Sequence, residues 1–197
     1  MKIVFFGDSV TEANRDKENP SDLGTGYVKF AADKLRLLYP ETKLLFLNRG
    51  VGGDGVADLK VRIQKDVLDE KPNAVILAVG VNDVWWKGNS AEEFRRDYAA
   101  LVTSLKATGA TLLIVQPFVL PVDDKGRLRP RLNAFNQIIG EIAKEHAVTV
   151  IPMDEIFKGA TQDIRPTQFT VDGIHPTHRG HRYLADFVVK ELKKKVQ

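Results

Sequence analysis

Five short apolar stretches alternate with five longer stretches that carry a helical hydrophobic period. Residues 2–6, 43–48, 74–79, 111–116 and 148–152 are rich in Val, Ile, Leu and Phe and are punctuated by Gly, Pro or Asn. Unbroken apolar runs of roughly four to eight residues suit strands of a parallel sheet covered on both faces, since neither face then meets water. Residues 27–39 place Phe30, Ala31, Leu35 and Leu38 on one stripe and stop at Pro40. Residues 56–68, 91–107, 131–145 and 178–196 repeat that period. Ser90, followed three residues later by Glu93, is a capping-box signal for the third helix.

Strand–helix alternation without an internal repeat or a low-complexity linker predicts one domain spanning residues 1–197. The expected fold is a three-layer α/β/α, flavodoxin-like arrangement. Its five-stranded parallel sheet runs in the order 2-1-3-4-5, with helices on both faces. Two connections, 10–26 and 117–129, are longer than simple turns require and read as lids or partner surfaces.

Composition narrows the classes. The chain has 197 residues, 43% of them hydrophobic and 28% charged, which fits one globular domain and disfavours disorder. It holds no cysteine, so a disulfide framework, a thiolate nucleophile and a cysteine-based zinc site are excluded. The apolar run Ile3-Val4-Phe5-Phe6 is too short for a signal peptide or a membrane span, and the chain reads as soluble and cytoplasmic. The net charge is +3, but the 29 basic residues are interspersed with 26 acidic ones, which argues against a nucleic-acid partner. The one dense run, Lys193-Lys194-Lys195, closes a helix where cations suit the negative end of its dipole.

In an open α/β sheet, ligands bind beyond the carboxyl ends of the strands. After strand one comes Gly7-Asp8-Ser9-Val10-Thr11-Glu12, and after strand two Asn48-Arg49-Gly50-Val51-Gly52-Gly53-Asp54-Gly55. After strand three comes Gly80-Val81-Asn82-Asp83-Val84-Trp85-Trp86, and before the last helix Asp172-Gly173-Ile174-His175-Pro176. With the order 2-1-3, the first three tips stand side by side at about 4.8 Å spacing. A serine hydroxyl is a poor nucleophile until an imidazole takes its proton, and the imidazole needs a carboxylate to fix its tautomer. Ser9 is therefore the candidate nucleophile, His175 the base and Asp172 the orienting group. The backbone N–H groups of Ser9 and Gly53 and the side-chain amide of Asn82 are the candidate oxyanion donors.

Gly7-Asp8-Ser9, Gly53 after Asn48, Gly80-x-Asn82-Asp83 and Asp172-x-x-His175 together resemble the four sequence blocks of the SGNH (GDSL) hydrolases. The blocks fall in family order and span residues 7 to 175. The resemblance implies the flavodoxin-like fold, serine hydrolysis of esters without metal or organic cofactor, and the roles just assigned. Val10 replaces the leucine of the family name, apolar for apolar. Gly24-Thr25-Gly26-Tyr27-Val28, Asp58-Leu59-Lys60-x-Arg62 with Asp66, and Gly80-Val81-Asn82-Asp83-Val84-Trp85 are similar to a branch of intracellular acetylxylan esterases and carbohydrate deacetylases. That implies a small-molecule ester substrate, an acetylated saccharide, with no membrane partner; homo-oligomerisation stays open.

Asp8 and Trp85 are the candidates for substrate contact, while Trp86 is read as resting on a neighbouring helix. Asp54 and Arg62 read as an ion pair behind the oxyanion loop, and Arg127, Arg129 and Arg131 as solvated. His175, His178 and His181 are spaced too unevenly around a helix to share a metal, and Pro176 sets His175 before that helix begins. Gly50-x-Gly52-x-x-Gly55 matches a dinucleotide fingerprint, yet strand 74–79 lacks the acidic residue such a site needs. A lysophospholipase or thioesterase is the alternative hydrolase. A flavodoxin-like binding module is the alternative outside enzymes, and it leaves Asp172 and His175 without a task.

Overall fold

The computed structural model describes the backbone of residues 1–196 and the side chains of residues 1–194. Five strands, β1 (Lys2–Gly7), β2 (Leu45–Gly50), β3 (Ala74–Ala78), β4 (Thr111–Val115) and β5 (Thr149–Ile151), pair in parallel in the expected order 2-1-3-4-5. The helices are α1 (Ser9–Glu12), α2 (Tyr27–Leu38), α3 (Val56–Ile63), α4 (Val81–Trp85), α5 (Ala91–Lys106), α6 (Arg129–Glu145), α7 (Met153–Ala160) and α8 (His178–Val196).

Alternation along the strands builds two cores. Ile3, Phe5 and Ile76 face α2, α7 and α8, where Leu35, Phe157, Leu184 and Val188 meet them. Val4, Phe6, Val75 and Leu77 face α3, α5 and α6, where Leu59, Phe94, Leu101 and Ile139 meet them. All five residues of β3 are buried, as a central strand covered on both sides requires. The Phe94 and Phe135 rings stack at 4.1 Å between α5 and α6. No helix among the described residues is long and apolar enough to cross a membrane.

Register decides where the loops emerge. Gly7 pairs with Gly50 on one side and with Ala78 on the other, so β1, β2 and β3 end in one row and release their loops at one level.

Several boundaries differ from the sequence expectation. The helix expected over 56–68 is α-helical to Ile63 and continues as a π-helical turn, Gln64–Leu68. Helix α6 begins at Arg129 rather than 131, because Pro130 fits the first turn, where its missing N–H leaves no bond unmade. Helices α1, α4 and α7 were not expected: the first two are too short to show a period. Helix α7 follows β5 after only Pro152, and its signals are the Met153–Phe157 pair and the acids Asp154 and Glu155 in its first turn.

Candidate active site

The serine turn is held from several sides. Asp8 caps α1 by accepting the Val10 N–H at 3.0 Å, which places Ser9 as the first residue of that helix, directly beyond β1. Asn48, buried at the end of β2, donates to the carbonyls of Thr11 (2.8 Å) and Leu23 (2.9 Å) and accepts the Gly50 N–H at 2.9 Å. A Cβ at Gly50 would stand 2.1 Å from the Glu12 nitrogen, so only glycine lets α1 dock this closely on the β2 tip.

The imidazole arrives from 166 residues away. Ser9 Oγ lies 3.0 Å from His175 Nε2, and His175 Nδ1 lies 2.8 Å from Asp172 Oδ2. The other Asp172 oxygen accepts the N–H groups of Ile174 (3.0 Å) and His175 (2.8 Å). Burial alone would raise the Asp172 pKa. The His175 backbone N–H, the His175 ring and the Ile174 N–H outweigh it and hold this carboxyl below its ordinary value. An ionised Asp172 can only accept, so the Nδ1 proton sits against it. The Nε2 lone pair then faces the serine hydroxyl.

The third set of groups comes from the β2 and β3 loops. Gly53 adopts φ +84°, a conformation that favours glycine, while its missing Cβ would meet nothing closer than the Trp86 ring at 3.7 Å. Neither the Ser9 nor the Gly53 backbone N–H has an acceptor among the described residues, whereas the neighbouring Gly52 N–H is taken by Glu12. Asn82, only 4% exposed, donates from Nδ2 to the Asp54 carbonyl at 2.8 Å and accepts the Trp86 indole N–H on Oδ1 at 3.1 Å.

Behind this loop Arg62 spreads its guanidinium over four partners. It reaches the Asp54 and Asp66 carboxylates at 2.7 and 2.6 Å, and the carbonyls of Arg49 and Gly7 at 2.8 Å each. One side chain thereby ties the ends of β1 and β2 to the loop that carries Gly53 and Asp54, and its plane also lies 4.7 Å over the Phe6 ring. Asp83, fully buried beneath, accepts the Val56 N–H at 3.1 Å and the Asn89 amide at 2.6 Å; burial pushes its pKa up to about 6. Burial likewise pushes Asp8 up to about 7, against the pull of the Val10 N–H and with added repulsion from Asp83 and Asp54.

The structure thus gathers Ser9, Gly53, Asn82, Asp172 and His175 at one end of the sheet. Asp8 is 3% exposed and lies beside the serine turn as its cap. Trp85 packs partly against the α3–α5 core, with Lys125 Nζ 4.6 Å over its ring. Trp86, read from sequence as the packed member of the pair, is instead 56% exposed beside Gly53. Arg129 and Arg131 are not simply solvated: Arg129 pairs with buried Asp154 at 2.5 Å, and Arg131 donates to the Asn89 carbonyl. His181 accepts the Tyr27 N–H on Nδ1 at 3.2 Å, and burial lowers its pKa to about 4, so it serves as a neutral acceptor between α2 and α8. Among the described residues no three metal-ligating side chains converge.

This arrangement is that of a serine-dependent acyl hydrolase, and comparison with known proteins agrees. The profile of the GDSL-like lipase/acylhydrolase family matches residues 5–183, and the chain belongs to that family. It is a carboxylic ester hydrolase. It is 28% identical to an acetylxylan esterase of Geobacillus stearothermophilus, over 97% of this chain and 93% of that one. The crystal structure of that esterase, Axe2, superposes with a TM-score of 0.89 at 27% identity, covering 97% of this chain and 93% of the other. LAE5, an α/β hydrolase from the metagenome of Lake Arreo, Spain, also has a TM-score of 0.89, at 28% identity over 96% and 93%. Three Axe2 structures are described as catalytic mutants, with alanine replacing a serine, an aspartate and, three residues beyond the aspartate, a histidine.

Proposed function

We propose that this esterase removes acetyl groups from saccharides by a two-step serine mechanism, with residues 1–197 forming one hydrolase domain. The observation that carries the mechanism is the 3.0 Å contact between Ser9 Oγ and His175 Nε2, backed by the 2.8 Å contact from Nδ1 to Asp172. As Oγ attacks the ester carbonyl carbon, Nε2 takes its proton, and the imidazolium that forms is stabilised by Asp172. The carbonyl oxygen becomes an oxyanion facing the Ser9 N–H, the Gly53 N–H and one Asn82 Nδ2 hydrogen; these fixed donors need no reorganisation as charge develops. Collapse of the tetrahedral species breaks the bond to the alcohol, which leaves with the proton from Nε2. Water, deprotonated by the same nitrogen, then attacks the acyl-serine; acetate departs and Oγ regains its proton.

Two features support an acetylated sugar as substrate. Likeness to an acetylxylan esterase extends over nearly the whole of both chains, and the Asp–His spacing of three in its catalytic mutants is repeated here by Asp172 and His175. Trp86 also stands exposed on the rim of the site, and an indole face is a surface on which a pyranose ring stacks. The lipid-type alternative has a weaker counterpart. The thioesterase 1/protease 1/lysophospholipase L1 of Escherichia coli is 25% identical over 78% of this chain and 69% of its own.

Turnover of acetylated xylooligosaccharides and of p-nitrophenyl esters from two to ten carbons tests the proposal. Wild type should release acetate from the sugar and favour the two-carbon ester, and a folded Ser9→Ala protein should lose at least about 10⁴-fold in kcat. Wild-type-like turnover by Ser9→Ala would end the serine mechanism. Activity that rises with chain length would replace the sugar with a lipid-like substrate.

A further inference from the structure

We infer that Trp86 is a positioning residue for the reaction, acting through the Asn82 side chain; this rests on the reading of Asn82 as an oxyanion donor. A primary amide has two orientations that differ by exchange of oxygen and nitrogen, and only the one that presents Nδ2 to the reacting carbonyl is useful. An indole N–H can only donate, so the 3.1 Å contact from Trp86 Nε1 requires the Asn82 oxygen on that side. A carbonyl can only accept, so the 2.8 Å contact to the Asp54 carbonyl requires the Asn82 nitrogen on the other. The two neighbours impose the same orientation independently. One Nδ2 hydrogen is occupied by Asp54 and the second is left for the oxyanion.

Withdrawal of electron density by the indole N–H at Oδ1 also polarises the amide, which makes that second hydrogen a stronger donor. The indole is itself fixed. Helix α4 ends beneath it, with the Trp86 N–H bonded to the Asn82 carbonyl at 3.0 Å. Lys87 Nζ lies 4.7 Å over the ring and is anchored by Asp58 at 2.5 Å. The side chain that forms the exposed rim of the site therefore also sets the donor at its floor. A substrate group resting on the indole would press on the same hydrogen bond that aligns the oxyanion hole.

Trp86→Phe keeps an aromatic ring but removes the indole N–H together with the five-membered part of the ring that carries it. With p-nitrophenyl acetate, kcat should fall by about 5- to 20-fold, the effect of one lost hydrogen bond, while KM stays within about twofold. The melting temperature should hold, since the ring is half exposed. The decisive readout is a double-mutant cycle with Asn82→Ala: once the amide is gone, Trp86→Phe should cost nothing further in kcat. An undiminished kcat in Trp86→Phe, or the same fold-loss in both backgrounds, would overturn the assignment. Because the substrate here is p-nitrophenyl acetate, the outcome does not depend on the saccharide reading, which fails separately if acetylated oligosaccharides are not hydrolysed.

Discussion

The proposed oxyanion side and the proposed acid–base side of this site are built in opposite ways. The donors around Ser9, Gly53 and Asn82 come from the tips of three neighbouring strands. They are braced by residues far apart in sequence, among them Asn48, Arg62 and Asp83, so their geometry depends on the fold as a whole. Asp172 and His175, by contrast, lie three residues apart in a segment that closes on itself: one carboxylate holds two backbone N–H groups and the imidazole together. The contrast separates how far a substitution's effects should travel. Damage to the acid–base side should stay chemical, whereas damage to the oxyanion side should also register as lost stability.

Asp172→Asn is the strongest challenge to that contrast. The amide keeps size and shape but can leave the imidazole in the wrong tautomer, so kcat should drop by about 10⁴-fold. Its melting temperature should stay near wild type, and a large thermal shift would show that the segment is not self-contained. Arg62→Met should do the reverse. With the ties to Asp54, Gly7 and Arg49 gone, stability should fall by about 2 kcal/mol, near 6 °C in melting temperature. The accompanying loss in kcat should be about tenfold. If heat stability were unchanged, the oxyanion loop would be standing without its brace.

The effect at Asp8 is confined to a pH window. Burial raises its pKa from 3.8 unfolded to about 7 folded, so between about pH 4 and 7 the native chain holds a proton that the unfolded chain has lost. That contribution to stability is fully present below pH 4 and is lost as pH rises through about 7. Asp8→Asn cannot ionise, so the stability of the variant relative to wild type should climb across that window and level off above it. Denaturant unfolding of both proteins at several pH values reads this difference directly, and a flat difference would mean that Asp8 is ionised when folded.

How much of this was legible in the sequence follows the same division. The sheet order was readable because five apolar runs separated by helical periods leave few ways to bury both faces. Ser9, Gly53 and Asn82 were readable because they follow strand ends, and Asp172 and His175 because a carboxylate and an imidazole three residues apart stand just before the last helix. The braces were not. Nothing in the pattern distinguishes Trp85 from Trp86; which ring turns outward depends on where the five-residue helix α4 stops. Arg62 was recognisable as a partner of Asp54. Its grip on the Gly7 and Arg49 carbonyls depends on a side-chain course that periodicity does not encode. Arg129 and Arg131 read as solvent-facing because their partners, buried Asp154 and the Asn89 carbonyl, lie in other segments.

Residues 117–129 touch both sides of the site at once. The Leu120 N–H bonds to the Gly173 carbonyl at 2.8 Å, between Asp172 and His175, and Lys125 covers the ring of Trp85, in the same short helix α4 as Asn82. The loop is in effect a common strut between the Asp172–His175 segment and helix α4. Insertions here would shift the two relative to each other, and homologous enzymes could adjust rate or substrate choice through a stretch that supplies no reacting atom.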